Sequence, residues 1–97
     1  MITAQEALTV TINVAYAKIE KGKEKARNSI PDIEACIMRA AKMGEDYTVI
    51  YPMRMNSTDS AEEKSGYISE LINILNEAEY KVDYNVSTEN MQIQWAP

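Results

Sequence analysis

The spacing of apolar residues changes along the chain, and this change constrains the fold more than any other feature. Apolar side chains recur every three or four positions in residues 1–44 and 61–78, which is the spacing of one helix face. They alternate with polar residues in residues 47–53 and 80–95, which is the spacing of a half-buried strand. The chain is therefore predicted to be an α+β protein. Its helices would pack on one face of a small, three-stranded, mostly antiparallel sheet, in the order α-α-β-α-β-β.

Two pairs of residues have the spacing of a capping box, in which side chains satisfy free amide groups at a helix start. Thr3 with Glu6 predicts the start of a first helix, which is expected to reach Arg27. Ser60 with Glu63 predicts the start of the last helix in the same way.

A break is predicted between the first helix and a second one. Gly22 weakens the first helix locally and is expected to mark a kink or an end. Residues 29–32 have the features of a new helix start, with Pro31 near the first helical position. Gly44 is well placed to end this second helix. Two N-terminal helices are therefore expected rather than one.

Five aromatic residues lie on the predicted strands, where aromatic side chains can stack on unpaired bases. Each falls in the same alternation as an aliphatic residue such as Val49, Val82 or Ile93, and that face is assigned to the core. Core packing is therefore favoured over base stacking. Pro52 cannot donate to a β-ladder, so the first strand is expected at a sheet edge. The five residues are Tyr47, Tyr51, Tyr80, Tyr84 and Trp95.

The composition excludes several classes of function. The length of 97 residues predicts a single domain over residues 1–97. The absence of histidine excludes His-based triads and His metal ligands, and no phosphate-loop, zinc or calcium spacing occurs. A non-enzymatic protein without a catalytic site, cofactor or metal is therefore predicted. The net charge of −5 disfavours binding to duplex DNA, which requires basic residues.

Cysteine usage and hydropathy predict the compartment. The single cysteine, Cys36, cannot form an intramolecular disulfide, and nothing indicates an oxidising environment. The first residues lack the basic and apolar regions of a signal peptide. No segment approaches the ~20 apolar residues that span a membrane. A cytoplasmic protein without membrane contact is expected.

The first predicted helix carries apolar residues on two sides. Leu8, Ile12, Ala15 and Ile19 recur at helical spacing as one stripe, and a second stripe lies beside them. A helix that is apolar on two sides needs two packing partners. Either the helix is sandwiched within its own fold, or the second stripe forms the interface of a homo-oligomer. This second stripe consists of Ala7, Val10, Val14 and Ala17.

The segment before the last helix is a candidate binding site for a small anion. A helix start presents unpaired amide groups, and an arginine nearby adds a bidentate fork for phosphate or carboxylate. Two tyrosines near this segment are candidates for stacking on a planar base. Against this interpretation, Asp59 and Glu62 would repel an anion, and such polar segments are commonly only helix caps. The candidate ligand-binding residues are Tyr51, Arg54, Asn56, Ser57, Thr58 and Tyr67.

Basic and acidic residues are distributed unevenly. Residues 1–54 hold eight basic and seven acidic residues, whereas residues 55–97 hold two and eight. Basic residues cluster between Lys18 and Arg27, either as a solvated helix face or as a surface that meets an acidic partner.

Two segments near the end of the chain form a familiar pattern, the helix end Leu71-Ile72-x-x-Leu75-x-x-Ala78-Glu79-Tyr80-Lys81-Val82 and the closing strand Met91-Gln92-Ile93-Gln94-Trp95. With them the chain resembles, over most of its length, a pattern found in many small tailed-phage proteins. Those proteins carry two N-terminal helices, a strand, a helix that ends in a Gly-Tyr-x-Val step, and a closing Ile-x-Trp strand. Glu79 stands here where that pattern usually has glycine. The resemblance implies a viral origin and an accessory role in the bacterial cytoplasm, but it transfers no functional residue.

These observations lead to one main hypothesis and three alternatives. The main hypothesis is a non-enzymatic phage accessory protein that neutralises a host defence component, as a homo-oligomer that sequesters a small, anionic, nucleotide-like signal. The first alternative is a protein–protein inhibitor that binds a host defence protein through the acidic surface of residues 55–97. The second is a structural or assembly component of the virion. The third is an enzyme that acts on a nucleotide or a wall fragment, for which no pair of catalytic residues can be nominated.

Overall fold

A computed structural model describes residues 1–96 and places two long helices against one sheet. The elements are α1 (Ala4–Lys42), β1 (Tyr47–Ile50), α2 (Pro52–Met55), α3 (Ala61–Glu77), β2 (Lys81–Asn85) and β3 (Asn90–Gln94). The three strands form an antiparallel sheet in the order β1-β3-β2, so β1 lies at an edge, as expected, although Pro52 itself lies beyond the strand in α2. The α+β prediction is confirmed, with α1 and α3 packed on this sheet.

The two predicted N-terminal helices are one continuous helix, α1, and the expected break is wrong. Thr3 caps its start, because the Thr3 side chain accepts a hydrogen bond from the Glu6 amide at 3.1 Å. Pro31 lies inside the helix on its exposed side, where water can reach the carbonyl that loses its partner. The buried residues Ala26 and Ile33 lie before and after the proline, and both belong to the same core. Packing on both sides of Pro31 therefore holds the helix together.

The core lies between α1, α3 and the inner face of the sheet. Met91 and Ile93 of β3 are completely buried, and they pair with Ile50 and Thr48 of β1, respectively. Directly paired residues share a sheet face, so the inner face of β1 carries Ile50 and Thr48. The fully or almost fully buried hydrophobic residues are Ala26, Ile33, Ile37, Ile50, Tyr67, Leu71, Leu75, Met91 and Ile93.

The face of β1 that was assigned to the core is instead exposed. Tyr47, Val49 and Tyr51 keep about two-fifths of their surface in contact with solvent. The alternation predicts a strand over residues 47–53, but β1 ends at Ile50 and α2 begins at Pro52. On β2 and β3 the assignment is confirmed for Tyr80, Val82, Tyr84 and Trp95, which pack against the core. It is wrong for Val86, which follows the end of β2 and is 75% exposed.

Two glycines allow α1 and α3 to approach closely. A Cβ atom on Gly22 would overlap the Glu63 carbonyl oxygen and lie 2.8 Å from the Tyr67 amide nitrogen. A Cβ atom on Gly66 would overlap the Ile19 carbonyl oxygen in the same way. The expectation that Gly22 kinks or ends α1 is therefore wrong. Its lack of a side chain instead allows the backbones of α1 and α3 to meet.

The first part of α1 extends beyond the rest of the protein. Ion pairs join Lys21 to Asp59 and Arg27 to Glu70, so α1 and α3 run in the same direction, and α3 begins beside the middle of α1. Residues 4–18, which we call the α1 extension, lie beyond that point and are exposed except for the half-buried Ala15. The extension is about 22 Å long and contributes to the overall dimensions of 64 × 23 × 23 Å.

Candidate functional site

Hydrogen bonds hold residues 56 and 57, which belong to the candidate anion-binding segment before α3, against α1. Lys25 Nζ donates a hydrogen bond to the Ser57 carbonyl oxygen at 2.7 Å, and Asn56 Nδ2 donates to the Lys25 carbonyl oxygen at 3.4 Å. The Thr58 hydroxyl contacts the Met53 sulfur at 3.6 Å. The carbonyl of Ser57, the amide of Asn56 and the hydroxyl of Thr58 therefore already have partners within the protein.

Two of the candidate residues form an exposed pair. The Arg54 guanidinium carbon lies 4.5 Å from the centroid of the Tyr51 ring, the geometry of a cation–π contact. Both residues are exposed. A guanidinium that stacks on a ring keeps its in-plane N–H donors, which are the groups that bind carboxylate or phosphate.

Tyr67 is not available to a ligand, and its assignment as a stacking residue is wrong. The side chain is completely buried. Its hydroxyl donates to the Pro52 carbonyl oxygen at 2.9 Å and lies 3.2 Å from Ser29 Oγ. Burial raises the pKa of the Tyr67 hydroxyl, so the group stays a neutral donor. The sequence contained a signal for this, because Tyr67, Leu71 and Leu75 recur every four residues as one buried stripe of α3.

Tyr67→Phe is expected to lower the free energy of unfolding by about 0.5–1.5 kcal/mol, because the Pro52 carbonyl would lose one of its two donors and keep the Asn56 amide. Urea unfolding monitored by circular dichroism measures the change. Tyr16→Phe removes a hydroxyl from an exposed position of the α1 extension and serves as the control. Equal stability of wild type and Tyr67→Phe would contradict a role for this hydroxyl in joining α1, α2 and α3.

The start of α3 is satisfied by the protein's own side chains. Ser60 Oγ accepts from the Glu63 amide at 3.1 Å, and Glu63 Oε2 accepts from the Asp59 amide at 3.1 Å, which completes a capping arrangement. Glu63 is almost completely buried and forms an ion pair with Lys25. The hydrogen bond from Lys25 holds the pKa of the Glu63 carboxyl below its usual value, against the opposing effect of burial. A carboxylate thus occupies the position that an anion would need.

A surface hollow of about 380 Å³ beside this helix start is also poorly suited to an anion. Asp59 and Glu89 are among its lining residues, and the cation there, Lys64, pairs with Glu89. The hydrogen bond that Lys64 donates to Glu89 raises the pKa of Lys64. Within residues 1–96, no three acidic or cysteine side chains are grouped to hold a metal ion.

The α1 extension is the second candidate site, and both of its apolar stripes are uncovered. The predicted interface residues Ala7, Val10, Val14 and Ala17 are all exposed. Leu8 and Ile12, which the sequence placed in a stripe that would pack within the fold, are 57% and 45% exposed. The expectation of a helix sandwiched within its own fold is therefore wrong for this part of α1. The helix α3 has 17 residues against 39 in α1, and it is too short to cover them.

The α1 extension is also almost free of charge. Glu6 is the only charged side chain between residues 4 and 17, and Lys18 is the last residue of the extension. The hydroxyls of Thr9 and Thr11 each donate to the carbonyl oxygen one turn earlier, at 3.0 Å, so neither needs a partner outside the helix. None of the helices in residues 1–96 is long and apolar enough to cross a membrane.

Comparison with known proteins adds no relative: no family model matches the chain, and neither a curated protein nor a solved structure resembles it significantly.

Proposed function

We propose that this chain is a non-enzymatic binding protein that acts as a homo-oligomer, with the α1 extension as its association surface. The exposure of Leu8, Val10, Ile12 and Val14 on a helix with almost no charge carries this proposal. Full burial of such a side chain is worth ~1.5–3 kcal/mol. Single exposed apolar residues are ordinary on protein surfaces, whereas a contiguous apolar patch is typical of an interaction site.

The low helix propensity of the extension also supports association. Residues 9–12 read Thr-Val-Thr-Ile and are followed by Asn13 and Val14, none of which is a strong helix former. Short helices of this composition are marginal in water, and most helical stability in proteins comes from packing of an apolar face. A partner on the α1 extension would supply that packing.

The oligomer is expected to dissociate when charge is placed on both apolar stripes of the extension. In the double variant L8E/V14E, one glutamate lies on each stripe, and two apolar contacts are replaced by charges that must stay hydrated. The dissociation constant should rise at least ~100-fold, since whichever stripe is buried loses one apolar contact from each of two copies, and two contacts of ~1.5–3 kcal/mol exceed that factor. Sedimentation equilibrium measures the mass, with 11.0 kDa expected for the dissociated chain.

The matched control is the double variant T9E/N13E, which adds the same charge to the polar side of the extension, where Gln5, Thr9 and Asn13 recur every four residues. This control should keep the mass of the wild type. A wild-type chain that sediments at 11.0 kDa even at high concentration would contradict the proposed association.

For the target, the resemblance to phage proteins supports a role in the host cytoplasm that neutralises a host defence component. The exposed pair of Arg54 and Tyr51 supports a small, anionic, nucleotide-like ligand at that position, since it combines a stacking surface with bidentate donors. The filled start of α3 means that such a ligand would depend on Arg54 rather than on helix amides. Between subunits of an oligomer, this exposed pair would gain the concave surroundings that small-molecule sites require.

Arg54→Ala is expected to abolish retention of such a ligand, because it removes both the charge and the stacked guanidinium. Native mass spectrometry of protein purified gently from infected host cells measures the retained mass, and denaturation releases it for identification. Thr58→Ala tests a second candidate ligand-binding residue near Arg54. Arg39→Ala, which removes an exposed arginine of α1, serves as the control. Unchanged retention in both Arg54→Ala and Thr58→Ala would show that the ligand site is wrong.

The acidic surface of residues 55–97 supports a second candidate, a protein–protein inhibitor that binds a basic host surface. Capture of a host protein whose association slows with rising salt would favour this alternative.

A further inference from the structure

We infer that a second copy of this chain covers the Leu8–Ile12–Ala15 stripe, with the two α1 extensions packed antiparallel around a twofold axis near Ile12. This inference rests on the proposed oligomer and specifies its geometry. It selects one of the two exposed stripes and fixes the direction and the register of the partner helix.

The choice of stripe follows from its continuity with the packed part of α1. Leu8, Ile12, Ala15 and Ile19 are separated by four, three and four residues, and the same spacing continues along the helix. The continuation is buried or almost buried against the rest of the protein, and its members are Gly22, Ala26, Ser29 and Ile33. This alternation of three and four residues is the spacing of helices that pack along a common seam. One seam therefore runs along α1, and α3 covers only its second half.

The direction of the partner follows from the position of α3. Gly22 and Ser29 of the seam contact α3 directly, at the Glu63 carbonyl and the Tyr67 hydroxyl. A parallel partner helix on the first half of the seam would continue past Ile19 into the space that α3 occupies. An antiparallel partner leaves in the opposite direction, past Thr3, and meets no element of its neighbour. The fold therefore permits the antiparallel arrangement and blocks the parallel one on this stripe.

The register follows from the lengths of the two extensions. They overlap completely when Ala4 of one copy lies beside Lys18 or Ile19 of the other. Leu8 then faces the partner's Ala15, and Ile12 lies next to the partner's Ile12 at the axis. A large side chain opposite a small one allows close packing of the two helices.

The sparse charges agree with this arrangement. Glu6 and Lys18 lie at opposite ends of the extension, with no other charged residue between them. Antiparallel packing brings Glu6 to the end of the pair that carries the partner's Lys18. Parallel packing would gather two Glu6 carboxylates at one end and two Lys18 ammonium groups at the other, which is unfavourable. Since Glu6 lies on the side of the helix away from this stripe, the preference acts between the ends of the pair and not through a direct ion pair. The apolar and uncharged surface between the ends is suited to a second identical surface.

Disulfide cross-linking distinguishes the two directions. In a Cys36→Ala background, we expect Ile12→Cys to form a covalent dimer under mild oxidation, because two Cα atoms near the axis lie within disulfide range. A mixture of Leu8→Cys and Ala15→Cys chains should form the mixed dimer. Leu8→Cys alone should remain largely uncross-linked, because two Leu8 positions would lie seven residues apart, about 10 Å along the helix axis. Mass spectrometry separates the three products by their masses.

Val10→Cys, on the other stripe, is the matched control and should not form a covalent dimer. Efficient dimer formation by Leu8→Cys alone would overturn the antiparallel inference. Preferential cross-linking of Val10→Cys would assign the interface to the stripe of Ala7, Val10, Val14 and Ala17 instead. In either case the sedimentation mass would still exceed 11.0 kDa and the proposed oligomer would stand. A wild-type chain that is monomeric in sedimentation would overturn both proposals.

Discussion

Gly22→Ala is expected to lower the free energy of unfolding by about 3 kcal/mol, one of the largest effects of any single-residue change in this chain. The new Cβ atom would overlap the Glu63 carbonyl oxygen, which is backbone and cannot rotate away. The two helices would have to move apart at the position where Lys25 reaches Glu63 and Ser57. Overpacking of this kind costs about 1–3 kcal/mol or more. The cost of this overlap must also exceed the ~1 kcal/mol of helix stability that is gained when alanine replaces glycine.

Chemical denaturation monitored by circular dichroism measures this effect. Gly66→Ala places its Cβ atom against the Ile19 carbonyl and should destabilise by a similar amount, since it opposes the same approach of the two helices from the other side. Asn28→Ala, at an exposed position of α1, is the control and should change the stability by less than about 0.5 kcal/mol. Stabilisation by Gly22→Ala would mean that helix propensity outweighs the close contact of α1 with α3.

Glu63→Gln is the second substitution with a large expected effect, and its signature is a change in the pH dependence of stability. The pKa of Glu63 in the folded protein lies below its usual value, chiefly because of the hydrogen bond from Lys25. The unfolded chain binds a proton more readily at this position than the folded chain does. The contribution of Glu63 is therefore complete above the unfolded pKa of about 4.5 and is lost as the pH falls through the lower, folded pKa.

Glu63→Gln should accordingly be less stable than the wild type at pH 7, where it leaves Lys25 without its charged partner. The difference should shrink below pH 4.5, because acid removes the same charge from the wild type. Thermal melts between pH 3 and pH 7 compare the two proteins. Glu62→Gln, at an exposed neighbouring position, should melt like the wild type at each pH. Parallel pH profiles for Glu63→Gln and the wild type would contradict a stabilising pair between Glu63 and Lys25.

For the candidate anion site, the sequence predicts a segment but not the state of its groups. Arg54 and Tyr51 lie together, as residues close in sequence often do. Asn56, Ser57 and Thr58 are partly occupied by contacts with Lys25 and Met53, and only the packing of α1 against this segment reveals these contacts. Tyr67 is not available to a ligand, because its side chain belongs to the buried stripe of Leu71 and Leu75.

The sequence by itself determined those features whose signals are complete within a few residues. Thr3 and Ser60 cap their helices because the hydroxyl and the amide that it binds are three residues apart. The inner faces of β2 and β3 follow from local alternation. β1 lies at a sheet edge, as expected, but Pro52, on which that expectation rests, lies in α2 and not in the strand.

Only the tertiary structure decided the features that depend on distant partners. Packing of Ala26 and Ile33 in a shared core carries α1 through Pro31, although the local signal favoured a new helix there. The pairing of Ile50 with Met91 sets the inner face of β1. The exposure of Leu8 and Ile12 depends on the length of α3, because an apolar stripe is buried only where another element is long enough to cover it.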